Sequence, residues 1–360
     1  MINKVIMKNF KNFDELEIDN LSRITLIGGK NNIGKTTFLE ALFMFYDRNN
    51  PALVLRQMLW RGMNGFSLTP KAVWAPIFHT YDVEKQIEIK TFEEQEEALL
   101  LNFNPNYVQK KETVAQSTHF WGRDSVPIEI RDSESLLRTS LDMKYSINHE
   151  VKQSSHLVFD RDELKLNFEL PVIKAKRAIY LEASRKFDPN EDANRFGSLD
   201  VKGELNSIIE IMKIIEPRLK SISSIAMGKV SVLHGDIGLS RKIPISYMGD
   251  GTSRLLSTIL AIADNRDGVV FIDEIENGIH YSIMPEILNK IALAAKKFNC
   301  QIFASTHSYE CLKSACEGLK DEYEDDFSYV RLDEENGKIV PKIYSHEMLD
   351  TAIDRGWEVR

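Results

Sequence analysis

The sequence predicts an α/β fold. Its core is a mixed sheet with parallel strands supplied by both ends of the chain, and the middle adds an antiparallel β subdomain and an inserted α-helical subdomain. Three observations carry this prediction. Near the N-terminus, "RITLIGGKNNIGKTTFLEALF" (Arg23 to Phe43) sets an apolar run, a glycine-rich turn and a helical pattern in succession. In the final third, apolar strands alternate with helices: "GVVFIDE", "SIMPEILNKIALAAKKF", "CQIFAST". Between these regions lie short alternating runs separated by polar breaks, the period-two pattern of a half-buried antiparallel sheet.

In chain order, "KVIMKNFKNFDELEID" alternates and "ITLIGG" is continuously apolar, so both read as strands. Phe38, Leu39, Leu42, Phe43 and Tyr46 then recur at helical spacing. From Lys85 to Leu181, "KQIEIKTF", "ALLLNFN", "VPIEIRD", "LDMKYSIN", "HLVFDRDELKLNFEL" and "RAIYLEA" read as antiparallel strands. "SLDVKGELNSIIEIMKIIEPRLKSIS" reads as one or two helices, with Ile208, Ile211, Met212 and Ile215 on one stripe and Pro217 as a break. "KVSVLHGDIGLSRKIPISYMGDG" reads as a hairpin leading into a turn. After the strand–helix alternation come a helix in "SYECLKSACEGL", a hairpin in "FSYVRLDEENGKIVPKIYS" and a short helix in "HEMLDTAIDRGW". The expected segments are an N-terminal half (1–84), a β insertion (85–182), a helical insertion (183–228) and a C-terminal half (229–360). No Gly/Ser-rich or Pro-rich linker separates them, so they are expected to pack as one body.

The bulk composition narrows the function classes. A chain of 360 residues with 43% hydrophobic content can bury a large core, and a formal net charge of -8 disfavours a surface coated in basic groups. Cys300, Cys311 and Cys316, an odd set without CxxC spacing, argue against a disulfide framework or a zinc site. "MINKVIMKNF" lacks the apolar core of a signal peptide, and no apolar run approaches the roughly 20 residues of a membrane span. A cytoplasmic protein is expected, with no membrane partner. The acidic "DEYEDDF" reads as a solvated turn.

"GKNNIGKT" fits G-x-x-x-x-G-K-[ST] from Gly29 to Thr36. Glycines turn the backbone where a Cβ would clash, and the N–H groups of the turn and of the following helix cradle phosphate oxygens. Asn31, Asn32, Ile33 and Gly34 would form the cradle, and Lys35 would reach the β- and γ-phosphates. The Thr36 hydroxyl would hold Mg²⁺, and Thr37 would reach the α-phosphate. The expected ligands are ATP and Mg²⁺.

"GVVFIDEIENGIH" ends an apolar strand in two acids. Such a strand delivers carboxylates to the sheet's C-terminal edge, where α/β folds keep ligands. Asp273 would join Thr36 on Mg²⁺, and Glu274 would be the general base that polarises water. A second strand end, "QIFASTHS", offers His307 to the γ-phosphate or the water. Glu274, His307 and Lys35 are thus the catalytic candidates.

This order of motifs resembles the ABC-type ATPases, and among them the SMC, RecF and OLD (overcoming lysogenization defect) branch. The resemblance implies a P-loop NTPase fold of ABC type. It also implies that Lys11, Asn12 and Phe13, in "MKNFKNFDELEID", approach the base or ribose. The family's signature motif falls on "ISYMGDGTSRLLSTILAI". Aligned on Arg254, it puts Gly249 on the first signature glycine, Met248 on the serine and Asp250 on the second glycine. Asp250 would cap a helix starting at Gly251, and Gly249, Gly251 and Arg254 would serve the nucleotide of a second subunit. "IENGIHY" is similar to the OLD-like pattern, with Glu276 as its second Glu and Ile279-His280 in place of its Leu-His pair. "KAVWAPIFHTYD" lies where a Q-loop belongs but contains no Gln.

The stretch after His307 offers no acidic cluster of the TOPRIM type, so a nuclease or toxin activity is expected from a separate effector. The leading expectation is an ATPase homodimer, or higher oligomer, gating such an effector in bacterial antiphage defence. One alternative is a RecF-like DNA-maintenance ATPase with a basic groove of Lys174, Lys176, Arg177, Arg185 and Lys186. Others are a transporter's nucleotide-binding subunit, or a nucleotide-bound scaffold with negligible turnover.

Overall fold

The computed structural model describes residues 1–50, 52–54, 57, 74–108, 113–119, 138–160, 163–169, 172–183 and 189–360. In chain order its strands begin with β1 (Lys4–Phe10), β2 (Phe13–Ile18), β3 (Ile24–Gly29), β4 (Ile87–Phe92), β5 (Glu96–Tyr107) and β6 (Thr113–His119). They continue with β7 (Arg138–Ile147), β8 (Glu150–Asp160), β9 (Glu163–Glu169), β10 (Ala178–Leu181), β11 (Ser221–Met227) and β12 (Val230–Asp236). The last are β13 (Ile243–Pro244), β14 (Val269–Ile272), β15 (Gln301–Ser305), β16 (Phe327–Glu335) and β17 (Lys338–Ser345). The α-helices are α1 (Lys35–Tyr46), α2 (Pro189–Val201), α3 (Leu205–Met212), α4 (Asp250–Asp264), α5 (Met284–Lys297), α6 (Tyr309–Gly318) and α7 (His346–Asp354).

Two compact units are formed, and both are discontinuous in sequence. The first comprises Met1–Leu21, Asn32–Lys176 and Leu332–Pro341; the second comprises Ser22–Asn31, Arg177–Arg331 and Lys342–Arg360. They cut across the four expected segments, because β3 lies in the second unit while the helix that follows its loop lies in the first.

The first unit is built on an eight-stranded sheet in the order β2-β1-β4-β5-β7-β8-β9-β6. Its pairings are antiparallel, from β1 with β2 to β8 with β9. The expected alternation is what buries one face. A single row across the sheet aligns Ile87, Leu101, Met143, Ser155 and Phe168, all of them buried. Side chains one residue along each strand point the other way, so a slip by one residue would expose the whole row. Helix α1 is buried from Thr37 to Tyr46 on every side rather than along one stripe. The run "VPIEIRD" lies outside the described residues.

The six-stranded sheet, ordered β10-β14-β15-β3-β16-β17, has its strands β10, β14, β15 and β3 in the second unit. Strands β10, β14, β15 and β3 pair in parallel. Their continuous apolar composition follows from burial on both faces, as parallel sheets require: every residue of β3, β14 and β15 is buried. Phe271 stacks between Tyr180 and Phe303 on neighbouring strands, with centroids at 6.3 and 5.8 Å. Strand β10, expected in the antiparallel sheet, is instead an edge of this parallel one. Four residues are too few to show a period, and the pairing is fixed by Leu181 meeting Ile272. Helices α4, α5 and α6 pack in sequence, and a small sheet, β11-β12-β13, lies against α2. Helix α3 stops at Met212, before Pro217, and α2 begins at Pro189, earlier than the sequence pattern suggested.

All three cysteines are free and buried. Burial, aided by the Glu276 charge, pushes the Cys311 thiol up to about 12, which leaves it inert at neutral pH. Among the described residues no helix is long and apolar enough to cross a membrane.

Candidate functional site

The phosphate loop leaves β3 at Gly29 and enters α1 at Lys35. Its two glycines sit at φ 125° and 115°, in backbone regions that side chains disfavour. Gly34 has a second reason to lack a side chain. A Cβ there would lie 2.5 Å from Asn12 Nδ2 and 2.8 Å from the Phe13 ring. The β1–β2 turn is therefore packed against the loop within the first unit, and Asn12 Nδ2 donates to the Ile33 carbonyl at 2.8 Å. Lys11, at φ 49°, places its ammonium 2.6 Å from buried Glu40 and over the Phe10 ring. Its charge is thus matched within the unit. Lys11, Asn12, Phe13 and the loop residues Asn32 to Thr37 are brought together here. Beside them lies a cavity of about 800 Å³, lined in part by Asn32, Gly34 to Thr37, Lys11 and Asn12. The start of α1 lines this cavity, and backbone amides at a helix N-terminus are donors that phosphate oxygens use.

In the second unit, the parallel strands β14, β15 and β3 finish on one edge. Beyond β14 come Asp273 and Glu274, and beyond β15 come Thr306 and His307. Alongside them β3 ends in Gly29, with Lys30 and Asn31 of the loop following. Neighbouring chains stay bonded past the strand ends: Asp273 N donates to the Leu181 carbonyl at 2.9 Å, and Thr306 N to the Ile27 carbonyl at 2.9 Å.

Ser305 organises the acidic end. Its hydroxyl donates to Asp273 Oδ1 at 2.5 Å and accepts from the Glu274 N–H at 2.8 Å. Glu274 itself sits at φ 51°, an uncommon conformation for a residue with a long side chain. Asn277 Nδ2 donates to Glu274 Oε2 at 2.5 Å. Glu276 accepts from the His307 N–H at 2.9 Å with Oε1, and that same oxygen lies 3.1 Å from His307 Nδ1. His307 Nδ1 is 3.8 Å from Glu274 Oε1. His307 is therefore held by Glu276 on one side and faces Glu274 on the other. Ser305 and Asn277 had no assigned role in the sequence. Only the cross-strand register puts Ser305 beside Asp273.

The signature segment departs from expectation in two respects. Asp250 is the first residue of α4, Gly249 occupies the capping position, and no side chain caps the helix. The expected Asp250 cap is thus absent, because the helix starts one residue early and the exposed carboxylate lies in its first turn. Arg254 is turned inward. Its guanidinium donates to the carbonyls of Asp273 at 2.6 Å, Glu274 at 2.8 Å and Ala183 at 3.3 Å. Burial pulls its pKa below the ordinary value, against the carboxylates of Glu274, Glu276 and Asp273, which hold it up. Arg254 therefore braces its own acidic strand end. Gly251 is a packing glycine, since a Cβ there would come within 2.3 Å of the Gly278 carbonyl oxygen. Gly249, at φ 118°, would meet nothing within 4 Å and is exposed.

The described part of the Q-loop segment "KAVWAPIFHTYD", from Trp74 on, forms two short 3-10 turns, Ala75–Ile77 and His79–Tyr81. A glutamine does reach the loop cavity, but from an earlier part of the chain: Gln57. Of the basic residues considered for a DNA groove, Lys176 pairs with Glu93 and Arg177 with Asp264, each at 3.0 Å. Those charges are largely neutralised locally. Lys174 is exposed, while Arg185 and Lys186 lie outside the described residues.

The donor sets fit the expected ligands. Mg²⁺ prefers hard oxygen ligands and keeps several waters. Among the described residues no group of three or more His, Cys, Asp or Glu side chains is disposed to hold a metal. Mg²⁺ bound with nucleotides uses hydroxyl, carboxylate and phosphate oxygens; Thr36 of the first unit and Asp273 of the second carry oxygens of these kinds.

Comparison with known proteins gives a consistent picture. The profile of the family described as "AAA domain, putative AbiEii toxin, Type IV TA system" matches residues 24–312. An "ATP/GTP phosphatase" of Helicobacter pylori is 24% identical, covering 97% of this chain and 97% of its own length. An uncharacterized protein of Methanocaldococcus jannaschii is 32% identical over 116 residues, 31% of this chain and 51% of that one. Among solved structures, an SMC head bound to the C-terminal winged-helix domain of ScpA superposes with a TM-score of 0.50 at 14% identity, covering 98% of this chain and 99% of that chain. The last likeness is one of fold, and it bears out the expected ABC-type α/β architecture.

Proposed function

We infer that this chain, which belongs to the AAA-domain family whose profile it matches over residues 24–312, is an ATPase of the SMC/OLD-like ABC type. The observation that carries this reading is the acidic strand end: Ser305 fixes Asp273 and the Glu274 backbone together, and His307 is held beside Glu274. That is the arrangement of a metal-side carboxylate, a general base and a histidine in reach of it.

Lys35 and the amides of the loop bind the β- and γ-phosphates, and Thr36 and Asp273 are the oxygen donors for Mg²⁺. The metal, when bound, neutralises charge on the phosphate oxygens. Glu274 takes the proton of the attacking water. Its Oε2 is already engaged by Asn277, which leaves Oε1, on the His307 side, for that proton. His307 keeps its orientation because the two contacts of Glu276 fix both its backbone and its ring. A relative whose name reads "ATP/GTP phosphatase", aligned along 97% of both chains, supports hydrolysis of a nucleoside triphosphate.

The working unit in this reading is a homodimer or higher oligomer, closed by ATP and opened by hydrolysis. Support comes from the exposed signature segment: Gly249 is open to approach and Tyr247, two residues before it, is 82% exposed. The family's description, with its putative toxin and type IV TA system, supports a role in defence, and in this reading the ATPase acts on a separate effector.

Glu274→Gln tests the chemistry. It should retain ATP binding and lose turnover by at least about 10²-fold, as expected for a general base. Turnover near the parent rate would remove Glu274 from that role.

A further inference from the structure

Strand β11 is an open edge of the small sheet, whose order is β11-β12-β13. Its register on β12 runs without a break from Ser221 opposite Asp236 to Met227 opposite Val230. Met227 and Val230 flank the two-residue turn Gly228-Lys229 as a hydrogen-bonded pair, and antiparallel pairs alternate between bonded and non-bonded. The N–H and C=O groups of Ser224 and Ala226 therefore point away from β12. On the far side of β12 the equivalent groups are covered: Gly235 pairs with Ile243, and Ser231 N donates to Asn190 Oδ1 at 2.7 Å. Ser224 and Ala226 are exposed, and among the described residues no further strand pairs with β11. Folded proteins commonly guard such an edge with charges, a proline or a bulge, and "SISSIAM" has none of these.

The same hairpin shows an apolar face. Ile225 and Met227 lie on one side of β11 with Val230 opposite Met227, and all three are exposed, Met227 by 60%. The charge around this face is one-sided. From 220 to 242 the chain carries Lys220, Lys229, Arg241 and Lys242 against Asp236 alone, in a protein whose formal net charge is -8. Asp236 Oδ1 is taken by the Gly238 N–H at 2.8 Å, and Lys242 donates to Ser223 Oγ at 2.6 Å. Among the described residues Lys220, Lys229 and Arg241 have no ion-pair partner. Lys220 directly precedes β11, and Lys229 lies in the turn at its other end.

We propose that β11 is the docking strand for an extended segment of a partner protein, apolar at alternate positions and acidic at both ends. The backbone of that segment continues the ladder at Ser224 and Ala226. Its apolar side chains extend the row of Ile225 and Met227, and its acids meet Lys220 and Lys229. A second copy of this chain fits less well, because antiparallel pairing of β11 with itself brings lysines together at both ends. Nucleic acid matches the cations but offers neither a strand ladder nor apolar side chains. The dock adjoins the signature segment. After β13 the chain passes through a 3-10 turn, Ile245–Tyr247, into Gly249 and α4, and a Cβ on Gly235 of β12 would lie 3.0 Å from Met248 Sδ. Nothing in this dock depends on the chemistry at the acidic strand end.

The experiment is equilibrium binding of the full chain to a labelled peptide of alternating Val and Thr with Asp and Glu at both ends, to the same peptide with Lys at both ends, and to duplex DNA. The acidic peptide should bind on the order of tenfold tighter than the lysine peptide. It should slow hydrogen exchange at the Ser224 and Ala226 amides. Lys220→Glu combined with Lys229→Glu should reverse the preference. N-methylation of the acidic peptide at alternate residues removes its ladder donors, leaves its charge unchanged and should abolish binding. Ala226→Pro replaces an N–H outside the ladder, so it should keep the parent's circular dichroism spectrum and lose the peptide. The methylated peptide makes the same test without altering the protein. Equal binding of the plain and methylated acidic peptides reduces the site to charge attraction and overturns the proposal. Absence of acidic-peptide binding up to about 1 mM overturns it as well. So does duplex DNA that binds tighter than the acidic peptide and is lost in Lys220→Glu. A dimer of the parent protein that Ala226→Pro dissolves would make a second copy the occupant and overturn it too.

Discussion

Replacing Ser305 by alanine removes one hydroxyl and should disturb two catalytic candidates at once. The serine is 1% exposed, donates to Asp273 Oδ1 at 2.5 Å and accepts from Glu274 N at 2.8 Å. A hydrogen bond to a carboxylate is worth about 1.5–3 kcal/mol net, and a neutral one about 1 kcal/mol. Their joint loss should lower stability by about 3 kcal/mol, read as a lower urea midpoint at unchanged slope. Turnover should fall further than this number alone suggests. The hydroxyl positions the Asp273 carboxylate and the Glu274 backbone, and a displacement of about 1 Å costs roughly 10²-fold in rate. Ser305→Thr keeps the hydroxyl and should keep most of the activity. Were Ser305→Ala to unfold within about 0.5 kcal/mol of the parent and turn over within twofold of it, the bridging role would be refuted.

Three other perturbations test separate parts of the structure. Gly34→Ala places a Cβ 2.5 Å from Asn12 Nδ2 at a φ of 115°, so ATP affinity should fall more than tenfold while the circular dichroism spectrum is unchanged. Gly251→Ala drives a Cβ to 2.3 Å from the Gly278 carbonyl oxygen, and overpacking of this kind costs about 1–3 kcal/mol. Its midpoint should drop by that amount, and its turnover should drop with it. Asp192 is buried beside Ser257 and Arg195, and burial raises its pKa from 3.8 to about 6. The native state then holds a proton that the unfolded chain releases, so stability falls as pH rises from about 4 to about 6. The total for this group is about 3 kcal/mol by linkage. Asp192→Asn should flatten that part of the pH–stability curve, and an unchanged slope would show that the carboxyl is not held neutral.

What could be read in the sequence was what depends on neighbours in the chain. The phosphate loop, the acid pair after "GVVFI" and the histidine after "QIFAST" are linear patterns, and each emerges at a strand end. The antiparallel sheet was visible because alternation over six to twelve residues has only one good explanation. Contacts between distant residues were not visible. Ser305 became significant only through its register with Asp273, and Gln57 only because its amide reaches the phosphate-loop cavity from a separate turn of chain. The inward contacts of Arg254 were out of sight for the same reason. A guanidinium looks the same in a sequence whether it points outward or donates to three carbonyls of its own chain. Likewise Asp250 has the composition of a cap, but Gly249, at φ 118°, takes the capping position and the helix begins at the aspartate.

The Gly251–Gly278 contact has a mechanical consequence. At that point the first turn of α4 touches the turn that follows Glu274, and Arg254 grips the carbonyls of Asp273 and Glu274 from the same helix. The acidic turn therefore cannot shift without carrying the start of the helix with it. Helix α4 has 15 residues, about 22 Å at 1.5 Å each, and a rigid rod of that length transmits a tilt. Its far end, Asp264, is bound to Arg177 at the approach to β10. A sub-ångström shift of the acidic turn would then be felt at Arg177, just before β10.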